Sequence, residues 1–474
     1  MTFPSLTFAV FFVAVMLVHR APLAFTTRKA VLLVASHLFY AAWNPPFVVL
    51  LWISTAVDWV LAKKIHDEKH ESKRRGLLAL SLVANLSMLG FFKYGTFLST
   101  NFTEVLSTLG VDVTFAPPSV LLPVGISFYT FQTLSYTIDV YRRRLTPSSS
   151  LLDYALFVSF FPQLVAGPIV RARDFLPQLE NEHRASRDEV GFGLSLLALG
   201  LFQKAVLADA FFAPVVEQVY GERGAITASD AWTGTLAFAG QIFCDFAGYS
   251  TCAIGTALAL GFVLPDNFRA PYAAVGFSDF WRRWHVSLSS WLRDYLYIPL
   301  GGSGMGAVRT ALALVVTMLL GGLWHGAAWT FVVWGALHGL FLVAEHGLRA
   351  LTRGRVVLMA PAVRMVFALV TFALVVIAWV PFRADDLAHT RVLWSTMFGI
   401  TQTDVGALLE PYQHQTVLVL IGALVVTHHA LRDHTLGALA ARVPVVMRPL
   451  VVALLLLALV FSPGPQNDFI YFQF

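Results

Sequence analysis

Charge is scarce in this sequence. Only 13% of its 474 residues are Asp, Glu, Lys or Arg, against 57% hydrophobic side chains, a balance that excludes a soluble domain and leaves an integral membrane protein. The net charge of +5 does not point to nucleic acid, because the basic residues sit in loops between apolar runs, where membrane topology accounts for them. Cysteine is nearly missing. Cys244 and Cys252 fall eight residues apart on one expected helix, about 12 Å along its axis, which excludes a disulfide between them and gives no thiolate metal site. Period-two alternation is missing as well, so the spans are helices and not barrel strands. There is no GxSxG elbow, no carboxylate pair within a helix and no cysteine nucleophile. The glycine run at 301–306 lacks the lysine of a phosphate loop and reads as a flexible turn. Residues 2–19 lack a basic n-region and a small-residue cleavage pattern, so they read as a retained first helix.

What the chain does have is apolar runs of membrane-crossing length. The first five cover 2–19, the run opened by Arg28 and Lys29, the run between Trp43-Asn44-Pro45-Pro46 and Lys63, 77–98, and a span from about Val120 to Tyr141. Seven more cover 190–207, 232–264, 311–324, 328–345, 363–380, 417–428 and 450–462. About a dozen membrane helices result. Basic loops at 19–29, 63–75 and 142–144, and the absence of Lys and Arg from 99–118, place the N-terminus outside the cytoplasm. The run 151–167 is short and interrupted by Pro162, with Pro168 just beyond. It reads as a re-entrant segment, which membranes tolerate where protein or a water-filled cavity surrounds the backbone. No soluble domain, low-complexity linker or internal repeat interrupts 1–474, which reads as a single domain.

The most informative stretch is 279–339. From Asp279 to Tyr297, at 100° per residue, Trp281, Trp284, Leu288, Trp291, Leu292 and Tyr295 share one stripe. Arg282, Arg283, Ser290, Arg293 and Asp294 lie opposite, the pattern of an interfacial or re-entrant amphipathic helix. His285 lies at the edge of that stripe, where packing and a general-base or positioning role are both open. His325 lies between Trp324 and Gly326 in a strongly apolar run, and an intramembrane ionisable residue is a functional-site hypothesis by default. Gly321, Gly322 and Gly326 remove side chains around it, which admits a ligand or a neighbouring backbone. Burial keeps such an imidazole neutral, the form that accepts a proton. His338, thirteen residues on and about 220° around a continuous helix, reads as packing. His428, His429 and His434 read as a solvated span end and not as a metal site. Asp139 and Asp245 are carboxylates in apolar surroundings, expected to pair with arginine.

Six segments together resemble the membrane-bound O-acyltransferase family: LPVGISFYTFQTLSYTIDVYR from Leu122, FPQLVAGPIVRARDFLPQL from Phe161, CDFAGYS from Cys244, DFWRRWHVSLSSWLRDYLYIPLGG from Asp279, GLWHGAAWTFVVWGALHG from Gly322 and FIYFQF from Phe469. The likeness is to the alginate O-acetylation branch, related to teichoic acid D-alanyl transfer, and it covers nearly the whole chain. It implies an all-α polytopic fold: a ring of about a dozen transmembrane helices, with re-entrant and amphipathic segments, around a central tunnel. The two family histidines fall on His285 and His325, with His325 matching the residue regarded as catalytic. Trp284, Trp324, Gly326 and Asp245 are then candidates to line the tunnel. Branch members usually carry an acidic residue after GYS, where this chain has Thr251.

The resemblance further implies transfer of an acyl group, most readily acetyl, from a cytoplasmic thioester such as acetyl-CoA to an extracytoplasmic hydroxyl. The acceptor is a polysaccharide, reached directly or through a serine of a periplasmic SGNH-type acetyltransferase. No bound cofactor or metal is expected. Arg171 and Arg173, beside the broken segment, are candidates for the donor's phosphates. The setting is the bacterial cytoplasmic membrane, with the lipid bilayer, the thioester donor and the polysaccharide machinery as partners and no role for nucleic acid. Two other classes remain at this point: an acyl-donor transporter, and a structural anchor of a polysaccharide secretion complex.

Overall fold

The computed structural model describes residues 1–113, 115, 121–165, 167–352, 360–401, 405–462, 467, 469 and 470, the side chain of Val445 excepted. Val120, Ala166 and residues 471–474 of the closing motif lie outside them. Regular structure among the described residues is helical throughout. The principal helices are α1 (Leu6–Arg20), α2 (Phe25–Ala41), α3 (Val48–Asp67), α4 (Glu71–Leu89), α5 (Gly95–Thr108), α6 (Ile126–Tyr141), α7 (Leu151–Ser159), α8 (Ala172–Glu180), α9 (Arg187–Leu201) and α10 (Ala228–Ala259). The list continues with α11 (Phe277–Trp281), α12 (Val286–Leu292), α13 (Ala307–His325), α14 (Trp329–Leu351), α15 (Pro361–Arg383), α16 (Leu387–Met397), α17 (Pro411–Ala430) and α18 (Arg448–Phe461). The apolar runs of the sequence coincide with these helices in part: the run 77–98 crosses from α4 into α5 through the π-helical turn Gly90–Tyr94, and the run 190–207 passes from α9 into the π-helical stretch Phe202–Phe212. Among the described residues seven helical stretches are long and apolar enough to cross a membrane, and α1 and α18 are shorter apolar helices.

The chain divides into two compact units, residues 1–197 with 250–265, and residues 198–249 with 266–474. In the first, α3, α4 and α6 share a buried polar knot. The Asp58 carboxylate, fully buried, accepts from Ser81 Oγ at 2.5 Å, Asn85 Nδ2 at 2.8 Å and Thr137 Oγ1 at 3.3 Å. Ser54 Oγ closes the knot on Asn85 Oδ1 at 2.8 Å. In hydrocarbon each of these groups must find a protein partner, so the knot specifies which helix faces meet. The short run after Leu151 is broken as the sequence indicated: α7 ends at Ser159 and a second turn, Phe161–Leu164, starts around Pro162. Side chains take over the freed backbone groups, Gln163 Nε2 donating to the Phe157 carbonyl at 2.7 Å and Ser36 Oγ accepting from the Phe161 N–H at 3.1 Å.

In the second unit α13 and α14 form an antiparallel hairpin that meets backbone to backbone. A Cβ at Gly335 would meet the Met318 carbonyl, one at Gly322 the Phe331 carbonyl, and one at Gly339 would stand 3.1 Å from Val315 Cα. Glycine is what lets the two helices approach this closely, the usual solution between membrane helices, where solvent supplies no hydrophobic drive. A Gly335→Val variant is expected to force the hairpin apart at a cost of about 1–3 kcal/mol, read as a lowered unfolding temperature in detergent. An unchanged midpoint would show that the hairpin does not depend on this contact.

Candidate functional site

The amphipathic segment is not one helix. It runs as α11, a turn, α12 and a π-helical turn, Arg293–Tyr297. The break falls at His285, a non-glycine residue in the left-handed region (φ 43°, ψ 55°) that caps α12. The stripe nevertheless survives. Trp284, Leu288, Trp291, Leu292 and Tyr295 are buried, while Arg282 and Arg293 are exposed. A left-handed residue with a Cβ costs conformational energy and persists only where its surroundings hold it.

What holds His285 is Asn267. The Asn267 backbone carbonyl accepts from the Val286 N–H at 2.9 Å. Its side-chain Oδ1 accepts from Ser287 Oγ at 2.8 Å and lies 3.0 Å from His285 Nδ1. An amide oxygen only accepts, so Nδ1 carries the ring proton and Nε2 is the basic nitrogen. Asn267 was not singled out in the sequence, because it sits in a loop eighteen residues upstream with no motif around it.

His325 is the last residue of α13 and is 2% exposed. Its ring centroid lies 6.5 Å from that of His285, so the structure brings the two histidines together. Trp324 touches both, at 5.8 Å from His285 and 5.1 Å from His325. Trp334 and Phe382 complete the surround of His325 at 5.0 and 5.2 Å. The space left by the neighbouring glycines is taken by protein: the Phe331 ring packs on Gly326 and the Phe331 backbone on Gly322. Of the four tunnel candidates, Trp324 contacts both imidazoles and Gly326 carries the Phe331 ring. Trp284, fully buried, packs between Phe280 at 5.6 Å and Trp379 at 5.0 Å.

Asp245 corrects an expectation. Its partner is a lysine and not an arginine: Lys204 Nζ lies 2.5 Å from Asp245 Oδ1 and 2.8 Å from Asp209 Oδ1, all three side chains being at most 4% exposed. The other Asp245 oxygen accepts from the Ile470 N–H at 2.9 Å, and Lys204 also donates to the Asn467 carbonyl at 3.0 Å. The C-terminal segment is thereby anchored, and Phe469 packs on Phe246 at 5.6 Å, which packs on His285 at 4.6 Å.

The placing of His338 by a continuous helix also fails, because the chain turns back between His325 and Trp329. Trp334 consequently touches both, with His338 at 4.8 Å and His325 at 5.0 Å. His338 is fully buried, and neither ring nitrogen has a hydrogen-bond partner among the described residues. The solvated span end expected for the three later histidines does not hold for His428, which is 5% exposed and accepts from the Tyr272 N–H at 3.2 Å; His429 Nδ1 lies 2.9 Å from the Val425 carbonyl, and His434 Nε2 lies 3.5 Å from Arg442. Asp139 is buried at the end of α6, and Cys244 and Cys252 are buried free thiols on α10. Among the described residues no group of three or more His, Cys, Asp or Glu is arranged to hold a metal.

Arg171 and Arg173 belong to the first unit. Arg171 is buried at the start of α8, and Arg173, half exposed, lies 3.6 Å from Asp174. A different basic site lies in the second unit, a cavity of about 400 Å³. Arg282, Arg293 and Arg349 supply its positive charge, His346 lies among them, and Leu292, Leu314, Met318 and Leu342 form its apolar wall. Trp281 lines this cavity and packs on Trp334 at 5.8 Å, so two indoles separate the cavity from His325. Arg283, which the sequence placed on the outer face of the segment, helps hold it in position: Asp279 accepts from Arg283 Nε at 3.0 Å and from Arg432 Nη2 at 2.6 Å.

The model of the membrane-bound O-acyltransferase family matches residues 30–380. The chain is 36% identical over 469 residues to the "Probable alginate O-acetylase AlgI" of Pseudomonas putida, covering 94% of each. It is 37% identical over 400 residues to the "Peptidoglycan O-acetyltransferase" of Helicobacter pylori, covering 78% of this chain and 74% of that one. A more distant likeness, 29% over 322 residues, links it to the "Teichoic acid D-alanyltransferase" of Lacticaseibacillus rhamnosus, covering 61% of this chain and 78% of that one. On the family match and these two O-acetyltransferase relatives, the chain belongs to the membrane-bound O-acyltransferase family, and it is an acyltransferase.

Proposed function

We propose that this protein, working as a single membrane domain, moves an acetyl group from a cytoplasmic thioester to a polysaccharide hydroxyl outside the bacterial cytoplasmic membrane. The observation that carries the reading is the buried pair His285 and His325, with ring centroids 6.5 Å apart inside an aromatic surround. His325 takes the proton of the acceptor hydroxyl, whose oxygen attacks the thioester carbonyl. The tetrahedral intermediate then collapses, and the departing thiolate receives the proton. His285, with Nδ1 bonded to Asn267, presents Nε2 as acceptor and orients the reacting hydroxyl or shares its proton. A hydroxyl about 3 Å from a nitrogen of each ring fits between imidazoles at this separation. Excluding water from such a site protects the thioester from hydrolysis.

The polysaccharide acceptor is supported by two relatives whose names specify alginate and peptidoglycan. The transfer is direct or passes through a periplasmic acetyltransferase. The donor side is supported by the basic cavity. It lies between residues 278–297 and the facing sides of α13 and α14, toward the end of the hairpin remote from the turn, where Arg309 and Arg349 mark the cytoplasmic face, and the same rule puts the N-terminus outside. Met318 in its wall is seven residues from His325, about 10 Å along the axis of α13. A flexible thioester arm covers that distance while its phosphates meet Arg282, Arg293 and Arg349.

Two measurements test this. In proteoliposomes, radiolabelled acetyl-CoA supplied on the cytoplasmic face should label an acceptor on the other side, and label moving as intact donor would favour a transporter. Arg282→Gln should raise the KM for acetyl-CoA about tenfold with kcat little changed. An unaltered KM would remove the cavity from the donor path.

A further inference from the structure

The first unit contains a second basic cavity, to which the proposed transfer assigns no role. It encloses about 240 Å³ and is lined by His19, Arg20, Arg28 and Arg184, with Ala259 and Leu260 among the apolar lining. The sequence read the basic loop 19–29 as a topology signal. The structure buries Arg28, at 1% exposure, and His19, at 6%.

Two of the three arginines share one carboxylate, and the third pairs with a backbone carbonyl. Glu182 accepts from Arg28 Nη2 and from Arg184 Nε at 3.0 Å, while Arg20 donates to the Ala185 carbonyl at 3.1 Å. Positive charge is left in excess, and two buried polar atoms on lining residues, Arg28 Nε and His19 Nδ1, have no hydrogen-bond partner among the described residues. His19 Nε2 lies 3.0 Å from the Leu260 carbonyl, and a carbonyl only accepts, so that nitrogen carries the proton and Nδ1 is an acceptor. Burying such atoms without partners costs free energy that a ligand can return.

The surroundings identify the ligand. The cavity sits at the end of α1, whose Val10, Val13 and Leu17 are 64%, 58% and 70% exposed. At spacings of three and four they form one apolar strip that runs toward Arg20. In a membrane protein such a strip faces acyl chains. A phosphate held by arginines at the head of an apolar strip is the chemistry of an anionic phospholipid at the cytoplasmic interface. We infer that this cavity binds the phosphate headgroup of an anionic phospholipid, with Arg20, Arg28 and Arg184 on the phosphate and an acyl chain along Val13 and Leu17. His19 Nδ1 accepts from a headgroup hydroxyl.

The test uses the full, delipidated protein in detergent, titrated with phosphatidylglycerol and with phosphatidylcholine of the same chains and read by native mass spectrometry. Phosphatidylglycerol is expected to bind at least about tenfold more tightly. Arg20→Gln and Arg184→Gln should each weaken it about fivefold, the effect of one basic residue near an anionic headgroup, with the lipid-free unfolding temperature unchanged. Arg28 is left in place because its ion pair with Glu182 supports the fold. Equal binding of the two lipids, or phosphatidylglycerol binding unchanged in both variants, would overturn the inference. Displacement of bound phosphatidylglycerol by millimolar inorganic phosphate would overturn the lipid assignment in favour of a soluble phosphate ester.

Discussion

Purified His325→Ala protein is expected to transfer acetyl about a thousandfold more slowly than wild type, with a normal unfolding temperature and a donor KM within a few fold. The size follows from losing the base that activates a hydroxyl, an effect of about 10² to 10⁴. The selectivity follows from position, since His325 ends α13 and its removal leaves the glycine contacts of the hairpin intact. His338→Phe provides the matched control. It lies one indole away, against the same Trp334, and its ring nitrogens have no hydrogen-bond partner among the described residues. An apolar ring therefore forfeits no bond there and should retain transfer within about threefold. Equal transfer by His325→Ala and wild type would relegate His325 to packing. Equal losses in the two variants would mean that the aromatic surround, and not His325 as a base, determines the rate.

The sequence made most of this site legible, because membrane burial turns composition into position. A histidine between Trp324 and Gly326 in an apolar run has nowhere to go but the protein interior, and the stripe of Trp284, Leu288 and Trp291 showed which face of its segment is buried. Two things were not legible. Periodicity assumes a continuous helix, and it failed at His285 and again between His325 and Trp329, where the chain turns without proline. The glycines around His325 admitted either a ligand or a backbone by composition alone, and only the hairpin geometry shows that Phe331 fills the space at Gly322 and Gly326 while Leu292 stands against Gly321. Asn267 and Lys204 escaped notice for a related reason. Each acts on a residue distant in sequence, and a lone polar residue carries no local sign of its partner.

Lys204→Met should destabilise the protein by about 3–5 kcal/mol and abolish transfer at growth temperature, although Lys204 touches neither histidine. The lysine is shared by Asp209 and Asp245 in a pocket where none of the three side chains exceeds 4% exposure. Removing it leaves two carboxylates buried together without a cation, the costly way to break such a group. The loss reaches the site through the C-terminal segment. Lys204 holds the Asn467 carbonyl and Asp245 the Ile470 N–H, and between them Phe469 presses on Phe246, which in turn stands against His285. His285 occupies a left-handed conformation that its neighbours must maintain, so releasing Phe469 relaxes the ring that should share the reacting hydroxyl. A compensated variant separates the two effects. Lys204→Met combined with Asp209→Leu and Asp245→Asn removes all three charges but keeps an acceptor for Ile470, and buried ion groups replaced by matched apolar volume often lose little stability. The unfolding temperature should return toward wild type in that variant, and part of the transfer rate should return with it. A Lys204→Met protein as stable as wild type would refute the ionic anchor. A compensated variant with restored stability but no transfer would show that the C-terminal clasp supports the fold without setting the position of His285.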